Sequence, residues 1–124
     1  MKSKILALSK NEEFKKLLKD KKKSNKYVTI FFGHLENKNI KKLNISFVAK
    51  KKIGNAVRRN KIKRQLRKIM NDAIKEISIN LRYSYVVIAK SAMLNSEFKN
   101  IKEILIQEFK GIKWWIFLQS WWLK

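Results

Sequence analysis

Residues Lys50 to Lys68 read K-K-K-I-G-N-A-V-R-R-N-K-I-K-R-Q-L-R-K, and ten of these nineteen are Lys or Arg. No acid interrupts the chain from Asn37 to Asn71, between Glu36 and Asp72. Gly54-Asn55 divides the run. Glycine supplies a turn, and the Asn55 side-chain oxygen can cap a helix that starts beyond it. Ile62, Leu66, Ile69, Ala73 and Ile77 then recur every three or four residues, the apolar stripe of a helix that docks on a core. Arg59, Lys63 and Arg67 fall on a second line of that helix, with Asn60 and Arg64 on a neighbouring one. Cations four apart repel by roughly a few tenths of a kcal/mol per pair. A helix that stacks several such pairs without carboxylates beside them is suited to an external polyanion. Nucleic acid is the partner this implies; the bland alternative is a basic face that is merely solvated.

The rest of the composition agrees. A chain of 124 residues suits one domain with a modest core. A hydrophobic fraction of 45% argues for a folded protein rather than a basic tail. The formal net charge of +22 calls for a polyanionic partner. With no cysteine there is neither disulfide nor thiolate metal site, which permits a cytoplasmic location. The opening MKSKILAL is too short in apolar span for a signal peptide, and no stretch reaches the ~18 apolar residues of a membrane span.

Working outward, Ser9 is the expected cap of a first helix, with Glu12 completing a capping box and Phe14, Leu17 and Leu18 on its apolar side. That helix should end near Asp20, and Lys19 to Lys26 reads as a polar loop. Tyr27 to Phe32 is β-branched and aromatic, a strand, with His34 near its end. Leu43 to Lys50 reads as a second strand, with Ile45, Phe47 and Ala49 on one face and Asn44, Ser46 and Val48 on the other. Tyr83 to Ala89 is a third. A last helix begins near Ser96 with Phe98, Ile101, Leu105 and Phe109 on one side. The expected fold class is therefore α+β, a single-domain sandwich of order α-β-β-α-β-α with one extra strand possible and the helices packed on one side of a small sheet.

The basic stretch resembles the signature of the protein subunit of bacterial ribonuclease P. Lys51, Lys52, Gly54, Asn55, Ala56, Val57, Arg59, Asn60, Lys63, Arg64 and Arg67 match its pattern. Lys61 stands where that family usually has arginine, keeping the charge but losing a planar fork. Tyr85 to Lys90 is similar to the family's Tyr-Val-Val-Ile-Ala-Arg block, with Lys90 at the arginine. The resemblance covers about residues 5 to 110. It implies a left-handed β-α-β crossover through the basic helix, against the general rule. It also implies contact with the phosphates of a catalytic RNA through Lys51, Lys52, Asn55, Arg58, Arg59, Asn60, Lys61, Lys63, Arg64, Arg67 and Lys68. A cleft between the first helix and the sheet, with Phe14, Leu18, Tyr27, Phe31 and Lys90, would hold the single-stranded 5′ leader of precursor tRNA. One protein would pair with one RNA, the RNA would carry the chemistry, and Mg²⁺ would be required by the holoenzyme rather than bound by the protein.

The residues themselves show no catalytic arrangement. There is one histidine, no cysteine, and the nine acids are scattered. A metal-dependent nuclease built from protein would need several carboxylates or histidines converging on divalent ions. A ribosomal or general RNA-binding protein, and a membrane-surface protein, remain the alternative classes.

Residues 111–124, G-I-K-W-W-I-F-L-Q-S-W-W-L-K, hold all four tryptophans and fall outside the resemblance. As a C-terminal extension they could pack on the domain, drive self-association, lie at a membrane interface or stack on unpaired bases.

Overall fold

The computed structural model describes residues 5–36 and 38–122. In chain order the elements are β1 (Ile5–Leu6), α1 (Asn11–Leu18), β2 (Lys21–Ser24), β3 (Val28–His34), β4 (Leu43–Val48), a 3-10 turn (Lys51–Ile53), α2 (Ala56–Glu76), β5 (Tyr83–Ala89), a second 3-10 turn (Ser91–Asn95) and α3 (Phe98–Trp122). The basic stretch folds as its punctuation dictates. Asn55 is the N-cap of α2, its side chain accepting from the Arg58 N–H at 3.0 Å, a bond of the kind that contributes about 1 kcal/mol. Ile62, Leu66, Ile69, Met70 and Ala73 form the buried stripe of α2.

The five strands make one mixed sheet in the order β1-β4-β5-β3-β2. β4 and β5 are parallel neighbours joined through α2, and β3 pairs antiparallel with β5. Because side chains alternate along each strand, the register sorts the sheet into two faces. Ile30, Val87 and Phe47 align in one row; Phe31, Val86 and Ser46 align in the next. The first row belongs to the main core with Leu66 and Ile69 of α2 and Ile101, Leu105 and Phe109 of α3. The second row faces α1, where Leu8, Leu17, Leu35 and Val86 form a smaller core joined by Phe14, Phe31, Val48 and Ile88.

Helices thus cover both faces of the sheet, not one. Asn44 and Ser46, on the face of β4 opposite Ile45 and Phe47, are both buried. Ser46 Oγ accepts from the Leu8 N–H at 2.8 Å, and Asn44 Nδ2 donates to the Asn39 and Lys42 carbonyls. Backbone partners, one of them 38 residues away, thus offset the burial of Ser46 Oγ and Asn44 Nδ2, while Asn44 Oδ1 has no partner among the described residues. α1 passes close to β3 at Gly33, where a Cβ would lie 2.7 Å from Asp20 Cγ and 3.2 Å from Leu17 Cδ2.

Two short strands, rather than one, extend the expected order. β1 pairs parallel with β4, and β2 forms within Lys19 to Lys26, which reads as a loop in the sequence. All four β2 side chains are exposed, so its backbone pairing with β3 holds it rather than burial. The cap of α1 is Lys10 rather than Ser9. Glu13, not Glu12, reaches back, its Oε1 accepting from the Lys10 N–H at 3.3 Å.

α3 runs unbroken across residue 110 to Trp122. Its buried stripe continues past Phe109 through Ile112 and Ile116. Trp115 sets its ring edge-on to Phe32, centroids 5.7 Å apart at 81°. Lys102 clamps α3 to α2 through Glu76 at 3.0 Å and Asp72 at 3.5 Å.

Candidate nucleic-acid interface

Two turns of chain set the basic surface. The 3-10 turn after β4 buries Ile53 and leaves Lys51 and Lys52 exposed. Gly54 then lets the Arg58 side chain lie against the backbone: a Cβ there would stand 3.0 Å from Arg58 Cδ. Once α2 starts, its buried stripe fixes which residues point outward. Asn60, Lys63, Arg64 and Arg67 border one shallow depression together with Val57, which is 74% exposed. Lys63 and Arg67 of one helical line and Asn60 and Arg64 of the other therefore share a face, which Arg59 does not border. Arg58 and Lys61 turn toward a different concavity, shared with Gln65 and the Met93 to Ser96 segment. Lys68 leans the other way, its Nζ 5.4 Å from the Phe98 ring centroid on α3.

The pairing pattern sharpens this face. Among the described residues, ion pairs engage Asp20 with Lys21, Glu13 with Lys38, and Asp72 and Glu76 with Lys102. None involves Lys51, Lys52, Arg58, Arg59, Lys61, Lys63, Arg64 or Arg67. The half-buried Arg59 also keeps an Nε with no protein acceptor among the described residues.

A second feature lies on the α1 face of the sheet, where the cover given by α1 ends. A groove of about 580 Å³ has Thr29, Phe31 and Ile88 on its floor and Lys22, Lys50, Lys52 and Lys90 around it, with no carboxylate in its lining. Lys52 belongs both to this groove and to the basic turn before α2.

The groove brings together some of the expected cleft residues and not others. Phe31 and Lys90 line it. Phe14 is half-buried in the small α1 core beside Phe31, and Leu18 is exposed at the end of α1. Tyr27 does not belong with them. It is 4% exposed and packs in the main core on the opposite face. The reason is local: Asn25 Oδ1 accepts from both the Tyr27 and Val28 N–H groups, a side-chain-capped bend before β3 that breaks the strand alternation. Lys90 is also committed internally, donating to Ser24 Oγ and the Asn25 carbonyl, each at 2.7 Å. Lys22 and Lys50 were not singled out by the sequence. Lys22 enters the groove only because β2 pairs with β3, which no side-chain pattern announces.

Comparison with known proteins gives a consistent picture. A family model described as Ribonuclease P matches residues 3–113. The ribonuclease P protein component of Mycoplasma capricolum is 32% identical over 106 residues, covering 86% of this chain and 94% of that protein. Its counterpart in Listeria monocytogenes is 33% identical over 104 residues, covering 83% and 84%. Among solved structures, the RNase P protein from Thermotoga maritima aligns with a TM-score of 0.72 at 24% identity, over 86% of this chain and 96% of that one. The Staphylococcus aureus RNase P protein gives 0.71 at 23%, over 86% and 94%. At those identities the structural likeness speaks for the fold.

Proposed function

The chain belongs to the ribonuclease P protein family, and on that premise we propose how its two basic surfaces divide the work of a ribonuclease P protein component. The face of α2 bearing Asn60, Lys63, Arg64 and Arg67, with Lys51 and Lys52 before it, docks on phosphates of the catalytic RNA. The groove over Thr29, Phe31 and Ile88 holds the single-stranded 5′ leader of precursor tRNA. The observation that carries this reading is the segregation of charge: among the described residues the acids that form ion pairs do so elsewhere, leaving the signature cations without a carboxylate partner.

Phosphate contacts fix orientation without reading sequence, which suits a protein that sits at one place on a folded RNA. In the groove, the half-buried Phe31 offers a ring for a base to stack on, and the surrounding lysines follow the backbone. Holding the leader favours precursor over mature tRNA.

The Mg²⁺ that the family implies does not fit either surface. The α2 face presents ammonium and guanidinium groups and the groove ammonium groups, and no three of His, Cys, Asp or Glu gather among the described residues. Hard divalent cations need oxygen ligands, so we assign the metal and the hydrolytic step to the RNA and give the protein a positioning and charge-screening role.

The test is the salt dependence of binding to the cognate RNA. Lys63→Ala/Arg67→Ala should flatten the slope of log K against log salt by about 1.5, two phosphate contacts' worth. An unchanged slope contradicts α2 as the docking face.

A further inference from the structure

The last turns of α3 carry two apolar stripes. Ile112 and Ile116 continue the buried one, and Trp115 is tied to Phe32. Trp114, Phe117, Leu118 and Trp121, spaced i, i+3, i+4 and i+7, form a second stripe that faces solvent. Trp114 and Phe117 stack at 5.5 Å with an interplanar angle of 21°, so the exposed rings form one surface. Lys110 and Lys113 lie one turn before them on the same side. With Ile77 and Ser78 they border an open cleft of about 420 Å³ against the end of α2. From Lys110 to Trp122 the helix contains no acid.

Three covers compete for this stripe. A second copy would have to bring together two chains of formal charge +22 across a surface that supplies no carboxylate. RNA is held elsewhere: Lys102 pairs with Asp72 and Glu76, and Lys68 lies over Phe98, so α3 runs alongside α2 in the same direction. The stripe therefore lies beyond the C-terminal end of α2, which is itself about 14 Å along that helix from Arg67, the nearest cation of the docking face. A lipid surface matches both the chemistry and the sign. Tryptophan prefers the headgroup boundary, lysines beside an apolar helical face meet anionic headgroups, and an amphipathic helix of this kind lies in the interface plane. No helix among the described residues is long and apolar enough to cross a membrane, so the contact is peripheral.

We propose that Trp114, Phe117, Leu118 and Trp121, flanked by Lys110 and Lys113, lay the C-terminal turns of α3 on an anionic lipid surface. The ribonuclease P reading does not depend on this contact, since it uses the part of α2 up to Arg67, the turn before it and the α1 face of the sheet.

The experiment is co-sedimentation of the full chain with vesicles of phosphatidylcholine alone and of phosphatidylcholine with phosphatidylglycerol. It is read alongside tryptophan quenching by brominated acyl chains. The protein should bind the anionic vesicles at least about tenfold more tightly than the neutral ones, with quenching that places indoles at the acyl boundary. Trp114→Ala/Phe117→Ala/Trp121→Ala changes only exposed side chains and should keep the wild-type circular dichroism melt while losing about tenfold or more in vesicle affinity. Equal vesicle binding by the triple variant, or binding without quenching, overturns the proposal, because the lysines alone then suffice. A loss of affinity for the cognate RNA with vesicle binding intact assigns the stripe to RNA instead. Sedimentation velocity showing a wild-type dimer that the triple variant cannot form assigns it to a second copy. Either result also overturns the proposal.

Discussion

The Lys90 ammonium donates to Ser24 Oγ at 2.7 Å and so ties the end of β5 to the end of β2 beside the groove. The same ammonium reaches the Asn25 carbonyl at 2.7 Å, next to the bend that turns Tyr27 into the core. Lys90 is therefore a positioning residue before it is a phosphate ligand. Lys90→Met should lower stability to urea by about 1–2 kcal/mol, the range for part-exposed charged hydrogen bonds. It should cost less leader affinity than Lys22→Met, whose ammonium is exposed. Unchanged stability with a larger loss of leader affinity at Lys90 would reverse that assignment.

Phe31 and Tyr27 separate stacking from packing. Phe31→Ala should reduce the preference of the holoenzyme for leader-bearing over mature tRNA by about 1–3 kcal/mol, the range for one stacked base. Tyr27→Phe keeps the core filled and should leave that preference unchanged. Comparing the dissociation constants of the two tRNA forms for each variant decides the matter. A shift for Tyr27→Phe matching that of Phe31→Ala would place the leader elsewhere.

Glu13 gives the first helix an acid-sensitive tether. Burial pulls its carboxyl upward, but the hydrogen bond and charge of Lys38, with the Lys10 N–H and ammonium, carry it below the ordinary value of 4.5. A folded-state value below the unfolded one means the stabilisation is complete above about pH 4.5 and is lost as pH falls through the lower folded value. Wild type should therefore exceed Glu13→Gln in stability at pH 6, with the gap closing below pH 4.5. A gap that stays constant down to pH 3 would show that the Lys38 contact contributes nothing through charge.

Much of this was legible in the sequence, for physical reasons that differ by element. α2 could be read because a 21-residue helix repeats its stripe many times, and Asn55 marks its start. β2 could not, because K-K-K-S has no alternation to detect; its existence depends on the backbone of the next strand, which it meets across the bend at Asn25. The sequence set Asn44, Ser46 and Val48 on the face of β4 opposite Ile45 and Phe47, but residue type does not reveal that Leu8, Asn39 and Lys42 supply partners to Asn44 and Ser46 when that face is covered. The second core therefore stayed hidden, and the helices were expected on one side of the sheet. The basic face of α2 was legible from the same periodicity as the helix itself. The groove was legible only at Phe31 and Lys90, because a side chain in a bend, like Tyr27, follows its turn rather than the strand beside it. The last turns of α3 were ambiguous for another reason: two apolar stripes on one helix overlap in sequence, and only packing distinguishes the buried Ile112 and Ile116 from the exposed Trp114 and Trp121.

The central claim is that the unpaired cations of α2 seat this protein on the catalytic RNA so that precursor tRNA is cleaved where Mg²⁺ is scarce. The most direct measurement is cleavage of a precursor tRNA by the cognate RNA at low Mg²⁺, with no protein, with wild type, and with Lys63→Ala/Arg64→Ala/Arg67→Ala. These three side chains border the depression on α2 and lie outside both cores, so the variant should fold as wild type does. Wild type should restore cleavage, and the triple variant should fail until Mg²⁺ is raised. Equal rescue by both proteins would contradict the account, because the cations that the fold leaves without partners would then not be what binds the RNA.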